Sequence, residues 1–219
     1  MTGSDPSPIQ AGRRIGLLGG SFDPVHRAHL ALAEAALDGL QLDEVRWLPV
    51  GEPWQKARQL APAQHRVEMV RLATAHEPRF VVDTLEIDRG GPSYTLDTVR
   101  ALQSGALIDA QLPEHWFLII GQDQYANLHT WQGWQELTQR VTLGVANRAG
   151  EAPRPGPDLA AHPHHVVELP MPSMAVSSST IRARLAEGDA PESLSPTMVP
   201  NAVARYIAQH QLYAAGKSR

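Results

Sequence analysis

The stretch Arg14-Ile15-Gly16-Leu17-Leu18-Gly19-Gly20-Ser21-Phe22-Asp23-Pro24-Val25-His26-Arg27-Ala28-His29 decides the architecture. Its opening run is apolar and its end leads into an amphipathic stretch, so the glycine pair falls where a strand crosses into a helix. Unpaired amides at the start of such a helix attract anions, and glycines let backbone approach a ligand closely. His26 and His29 lie three residues apart, so a helix beginning near Pro24 puts both imidazoles on one face. Imidazole can donate to a phosphate oxygen in either protonation state. Far along the chain, Val176-Ser177-Ser178-Ser179-Thr180-Ile181-Arg182 offers hydroxyls, helix-start amides and a guanidinium. The two segments together read as a split phosphate-binding site for a nucleotide.

Working outward, Arg14 to Leu18, Val45 to Val50, Phe80 to Val82, Trp116 to Ile120, Val141 to Ala146 and Val166 to Leu169 read as strands, several too apolar for a half-exposed sheet. Between them, Leu30, Ala33, Leu37 and Leu40, then Val67, Val70 and Ala73, recur at helical spacing. This alternation predicts an α/β fold with a doubly wound parallel sheet. In such sheets a ligand sits beyond the carboxyl ends of the strands where their order reverses, which places Gly19 to His29 there if Arg14 to Leu18 is central. Gly121, just past Trp116 to Ile120, faces the same crevice. The Pro, Gly, Ala and His-rich stretch from Asn147 to His165 reads as an exposed loop. Pro200-Asn201-Ala202-Val203 opens a closing helix in a small C-terminal helical segment. Residues 1–13 read as a loose tail rather than a leader, and residues 14–219 as a single domain.

Of 219 residues, 42% are hydrophobic and 19% charged, which suits a globular domain with a full sheet core. A net charge of −4 provides no global attraction for nucleic acid or an anionic membrane, so phosphate chemistry must rest on local basic residues. No stretch approaches transmembrane length. The absence of cysteine excludes disulfides and thiolate catalysis and is compatible with the cytoplasm, which is the expected location.

With those residues in view, the chain resembles the nucleotidyltransferase superfamily marked by an H-x-G-H signature, most closely the bacterial nicotinate-nucleotide adenylyltransferases. Ser93-Tyr94-Thr95-Leu96-Asp97-Thr98 is similar to that family's S-Y-T-x-D-T element, and Gly121-Gln122-Asp123 with Leu128 and Trp131 to its G-x-D…L-x-x-W element. The resemblance implies a Rossmann-like nucleotidyltransferase fold that moves the adenylyl group of ATP to nicotinate mononucleotide, giving deamido-NAD and pyrophosphate in NAD biosynthesis. It also implies Mg²⁺ bridging phosphate oxygens largely through water, with no dedicated protein metal site. By the same likeness His26, His29 and Arg182 are the catalytic residues. Gly19, Gly20, Ser21, Phe22, Lys56, Ser178, Ser179, Thr180 and Ile181 bind ATP and its phosphates. Tyr94, Thr95 and Trp131 surround the pyridine ring of the acceptor, and Gly121 with Asp123 meets a ribose.

The chain departs from the family pattern at Ala28, where glycine is usual, and in Pro53-Trp54-Gln55-Lys56, where P-P-H-K is usual, so the cation stays and a histidine is missing. Ser179 stands where threonine is common and keeps the hydroxyl. Asp23, before Pro24, suits a turn or cap rather than catalysis. His162, His164 and His165 sit among prolines without carboxylate or thiolate support and read as solvated loop rather than metal ligands. Lys56 and Arg66 stand evenly between phosphate contacts and surface charge. Tyr94 and Thr95 could simply begin a helix, and Trp131 with Trp134 could be core. Pantetheine-phosphate and nicotinamide-nucleotide adenylyltransferases share both phosphate motifs, the first disfavoured by the S-Y-T-L-D-T and L-x-x-W elements and by length. A nucleotide-binding module without turnover is the remaining alternative.

Overall fold

The computed structural model describes residues 12–52, 60–109, 113–148 and 151–214. Six strands, β1 (Arg13–Gly20), β2 (Glu44–Pro49), β3 (Phe80–Val82), β4 (Glu114–Gly121), β5 (Thr142–Arg148) and β6 (Val166–Met171), form one sheet in the order β3-β2-β1-β4-β5-β6. Every pairing is parallel. All six expected strands are present, with ends displaced by one or two residues. β1 begins at Arg13, inside the segment read as tail, where its guanidinium pairs with Glu44; residues 1–11 lie outside the described residues.

The alternation of side chains explains why the strands read as continuous apolar runs. On β4, Trp116, Leu118 and Ile120 enter one core, while Phe117 and Ile119 enter the other. Successive strand residues face opposite sides, so a strand covered by helices on both faces has no polar register to keep. One face carries α1 (Arg27–Gly39), α2 (Ala63–Thr74), α8 (Ser178–Ala186) and α9 (Asn201–His210), which contribute Leu30, Val70, Ile181 and Ile207 to its core. The other is covered by α4 (Thr95–Asp109) and α6 (Trp134–Arg140), which contribute Leu96, Val99 and Leu137. Gly16 is needed on β1 because a Cβ there would stand 2.6 Å from Leu42 Cδ1 and 2.9 Å from Ile119 Cδ1.

The stretch read as an exposed loop after Asn147 is built into the fold. It contains α7 (Pro157–Ala160), whose Leu159 is fully buried, and it docks on α5 (Gln122–Ala126). Gln122 Nε2 donates to the Arg154 carbonyl at 2.7 Å, and the Arg154 amide donates back to Gln122 Oε1 at 3.0 Å. His162 and His164 are half-buried rather than fully solvated, whereas His165 is exposed as expected. The Tyr125 hydroxyl and His164 Nε2 are hydrogen-bonded at 2.8 Å, and His162 meets Trp134 edge-on at 4.9 Å. A composition rich in breakers signals irregular backbone, and the apolar anchor Leu159 decides that this backbone is packed.

Candidate functional site

Chain order reverses between β1 and β4, and both strands end there in glycine. A Cβ on Gly19 or on Gly121 would meet nothing within 4 Å, so the two strand ends border open space at the sheet's carboxyl edge. Gly20 is tighter, its Cβ position lying 3.0 Å from the Phe22 ring. The chain then turns through Phe22, at a φ of 44°, and the buried Asp23 before entering α1.

His26 is the N-cap of α1 and His29 lies in its first turn. Their rings stack at 3.6 Å between centroids, inclined by 22°, and the edge of Phe22 supports His29 at 5.1 Å. The expected shared face is therefore present. The role of the helix amides is different from expectation. The His26 amide donates to His29 Nδ1 at 3.1 Å, Arg27 to the Met198 carbonyl at 2.9 Å, and His29 to the His26 carbonyl at 3.0 Å. The amides of His26, Arg27 and His29 at the start of α1 are therefore already bonded within the protein. Because His29 Nδ1 accepts a hydrogen bond, its proton resides on Nε2, which makes that atom a donor.

His26 is buried and its Nδ1 has no hydrogen-bond partner. Burial lowers its pKa from 6.5 to about 4. Its unfolded form therefore binds more protons than its folded form between those values, so the neutral ring stabilises the fold fully above 6.5 and loses that contribution as pH falls toward 4. The gap is worth about 3 kcal/mol. Thermal unfolding followed from pH 7.5 to 4 should fall less steeply in His26→Gln than in the parent protein, and parallel curves would refute the assignment.

The second phosphate segment docks directly on the first. Arg182 Nη1 donates to the Asp23 carbonyl at 2.6 Å, and Ser178 Oγ to the Pro24 carbonyl at 2.9 Å, across sequence separations of 159 and 154 residues. Arg182 Nη2 also donates to Ser179 Oγ at 3.3 Å. Ser177 caps α8 by accepting from the Thr180 amide at 3.1 Å. Three expectations are corrected here. Ile181 is fully buried in the core and its amide donates to the Ser177 carbonyl at 3.1 Å, so it presents no group to a phosphate. The Thr180 amide is likewise committed to the cap. Phe22 is also buried, and its ring supports His29 instead of lying open to a ligand.

Arg66 is neither a phosphate contact nor surface charge. It is buried, and its guanidinium donates to the carbonyls of Ala61, Ser21 and Val50 at 2.9, 3.0 and 2.8 Å, joining the turns after β1 and β2. Asp23 has the structural role expected of it: its carboxylate accepts from the Ala61 amide at 3.3 Å and the Tyr213 hydroxyl at 2.7 Å. Lys56 and Gln55 lie outside the described residues.

Tyr94 and Thr95 stand at the start of α4, within reach of the phosphate turn through a short hydrogen-bonded chain. Val50 donates its amide to the Gly20 carbonyl at 2.9 Å, and the next residue, Gly51, donates to Ser93 Oγ at 3.1 Å. Gly133 has a φ of 65°, and a Cβ there would lie 2.3 Å from Leu96 Cδ2, so α4 and the turn carrying Trp131 are in contact. Trp131 is half-buried against this core, and Asp123 is exposed in the first turn of α5, beside Gly121. Two residues of the S-Y-T-L-D-T element, Ser93 and Thr98, turn out to be architectural, holding Glu86 of α3 (Leu85–Arg89). Thr98 Oγ1 donates to the buried Glu86 at 2.8 Å, and burial raises the Glu86 pKa against the opposing hydrogen bonds from Thr98 and Ser93. Among the described residues no group of three or more His, Cys, Asp or Glu side chains is placed to hold a metal ion, and no helix is long and apolar enough to cross a membrane.

Known proteins are similar to this chain in sequence and, more distantly, in fold. The cytidylyltransferase-like family model matches residues 17–184. A Methylibium petroleiphilum protein named "Probable nicotinate-nucleotide adenylyltransferase" is 54% identical over 202 residues, covering 92% of this chain and 93% of that one. A Bordetella petrii protein of the same name is 48% identical over 92% of this chain and 99% of its own. Among solved structures, Plasmodium falciparum nicotinic acid mononucleotide adenylyltransferase complexed with NaAD superposes with a TM-score of 0.71 at 17% identity, over 92% of this chain and 97% of that one, a likeness of fold. The docking of the Ser177–Arg182 segment onto the Gly19–His29 turn, within a six-stranded parallel sheet and at this level of identity, makes the chain a member of the nicotinate-nucleotide adenylyltransferase family.

Proposed function

We infer that residues 14–219 act as one nucleotidyltransferase domain that transfers the adenylyl group of ATP to nicotinate mononucleotide, releasing pyrophosphate and forming deamido-NAD, the nucleotide precursor of NAD. The observation that carries this reading is the direct bonding of Arg182 and Ser178 to the backbone that delivers His26 and His29. One triphosphate laid over Gly19, Gly20 and Ser21 meets both segments.

The acceptor phosphate is already an anionic nucleophile at neutral pH, so the reaction needs no general base. An oxygen of that phosphate bonds to the α-phosphorus of ATP as the bond from α-phosphorus to the bridging oxygen breaks, and the electron pair leaves with pyrophosphate. The protein holds the two phosphates in line and offsets charge on the leaving group. His29 Nε2–H and the Arg182 fork supply donors to that charge, and Ser178 and Ser179 supply amides from the start of α8. His26, neutral and stacked on His29, keeps the second ring in register. Lys56 is assigned to the same phosphates. A divalent ion such as Mg²⁺ would come with ATP rather than from a protein cage, since Asp23, the carboxylate of the phosphate turn, is buried and bonded to Ala61 and Tyr213. When bound, it neutralises phosphate charge and is held by phosphate oxygens and water.

For the acceptor, Trp131 stacks on the pyridine ring, and the first amides of α4, near Tyr94 and Thr95, meet the nicotinate carboxylate. Asp123 and the Gly121 backbone meet a ribose. Pyrophosphate release with ATP and each candidate acceptor tests the whole reading: turnover with nicotinate mononucleotide supports it, and binding of ATP without release would reduce the protein to a nucleotide-binding module. A charged hydrogen bond exceeds a neutral one by roughly 1 kcal/mol or more. The kcat/KM for nicotinate mononucleotide should accordingly exceed that for nicotinamide mononucleotide by about fivefold or more, and equal values would remove the acid preference.

A further inference from the structure

The C-terminal end of the chain is fastened to the phosphate turn. After α9 the backbone turns back through Gln211 at a φ of 50°, where the Leu212 amide donates to the Ile207 carbonyl at 3.1 Å, and reaches Tyr213 at a φ of 65°. Left-handed backbone at two non-glycine residues is costly and persists only where surrounding contacts fix it. Those contacts are on the page. Leu212 and Tyr213 pack against the core beneath α1 and α9, and the Tyr213 hydroxyl donates to Asp23 Oδ1 at 2.7 Å. Asp23 is completely buried, and its own carbonyl is the acceptor for Arg182 Nη1. The same C-terminal region holds the start of α1, where Arg27 Nε donates to the Pro196 carbonyl at 2.8 Å and the Arg27 amide to Met198.

We propose that Tyr213 is a positioning residue for adenylyl transfer, its hydroxyl fixing Asp23 so that the Asp23 carbonyl holds the Arg182 guanidinium over the triphosphate. Arg182 and Tyr213 grip one residue, one through its carbonyl and the other through its carboxylate. A shift of Asp23 by a few tenths of an ångström moves the guanidinium, because the 2.6 Å bond between them leaves no slack. This inference rests on the adenylyl-transfer reading, and it assigns to the C-terminal segment a function beyond closing the core.

Tyr213→Phe deletes a single oxygen and keeps the ring packing. The expected result is a loss of about tenfold in kcat/KM for ATP, an equal weakening of product inhibition by inorganic pyrophosphate, an unchanged KM for nicotinate mononucleotide, and a fall in melting temperature of only a few degrees, because the buried Asp23 carboxylate loses one of its donors. In the Arg182→Lys background the same change should cost less than about twofold, since the guanidinium it positions is gone. Three results would overturn the proposal: unchanged kinetics for ATP and pyrophosphate, equal losses for both substrates accompanied by a large fall in melting temperature, or full additivity with Arg182→Lys. The underlying reading fails separately, and visibly, if the unmodified chain releases no pyrophosphate.

Discussion

His29→Ala should lower kcat by about 10²- to 10³-fold, the scale observed when one preorganised donor to developing charge is removed. The same change should lower stability by only about 1 kcal/mol, since the ring's bond from the His26 amide is a neutral one and the ring is half-exposed. In a chain of this size that corresponds to a fall in melting temperature of roughly 2–4 °C. Two further variants separate the ring's two nitrogens. Asn places an acceptor near the position of Nδ1, so His29→Asn should keep the bond to the His26 amide and the melting temperature while losing turnover. Gln reaches toward the position of Nε2, so His29→Gln should retain more turnover at some cost in stability. Steady-state kinetics and calorimetry on the three proteins decide the matter. If His29→Ala unfolds easily and yet turns over at the parental rate, the ring is a helix cap and the catalytic assignment is lost.

His29 was accessible from sequence because its partners are local. Motifs whose geometry follows from chain neighbours, such as a glycine pair between an apolar run and an amphipathic helix, carry their own structural context. The sheet was legible for a related reason: central parallel strands are buried on both faces, so Ile15 to Leu18 and Trp116 to Ile120 stand out as uninterrupted apolar runs. Residues whose roles depend on distant backbone were not legible. Arg66 looks like one more charge on an amphipathic helix, and nothing nearby announces that carbonyls from two distant turns, Ser21 and Val50, will join that of Ala61 to enclose it. Glu86 precedes a Gly-Gly-Pro turn as any solvated carboxylate might, and only the fold places Thr98 over it. Tyr213 lies 190 residues from Asp23. Ile181 shows the converse error: lying inside a phosphate motif, it was given the motif's function, whereas the helical period turns its side chain into the core. Composition misled once as well, since the segment between Asn147 and His165 has the residues of a loop and the packing of a built element.

Arg182→Ala should reduce kcat/KM for ATP by about 10³-fold, equivalent to roughly 4 kcal/mol of transition-state stabilisation. Its guanidinium is asked to do two things that alanine cannot do. It ties α8 to the Asp23 carbonyl, and it presents planar paired donors to the leaving pyrophosphate. Arg182→Lys distinguishes the two contributions. A lysine keeps the positive charge, but its ammonium is a single point on a flexible stem and cannot span both the Asp23 carbonyl and Ser179 Oγ as the guanidinium does. If the fork matters, the lysine variant should recover only about tenfold of the lost activity. If charge alone matters, lysine should come close to the parent, and the bidentate role would be refuted. Ser179→Ala is the matching control. It removes the longer of the two anchors, an exposed hydrogen bond donated by the guanidinium at 3.3 Å, and should cost less than about fivefold, because a solvent-screened bond of that length contributes at most about 1 kcal/mol. Melting temperatures should stay within a few degrees for all three, since α8 remains anchored through Ile181 and Leu185 in the core and through Ser178 on Pro24. Loss of pyrophosphate inhibition in parallel with loss of kcat/KM for ATP would locate the damage at the leaving group, whereas a change in the KM for nicotinate mononucleotide alone would move Arg182 to the acceptor side of the crevice.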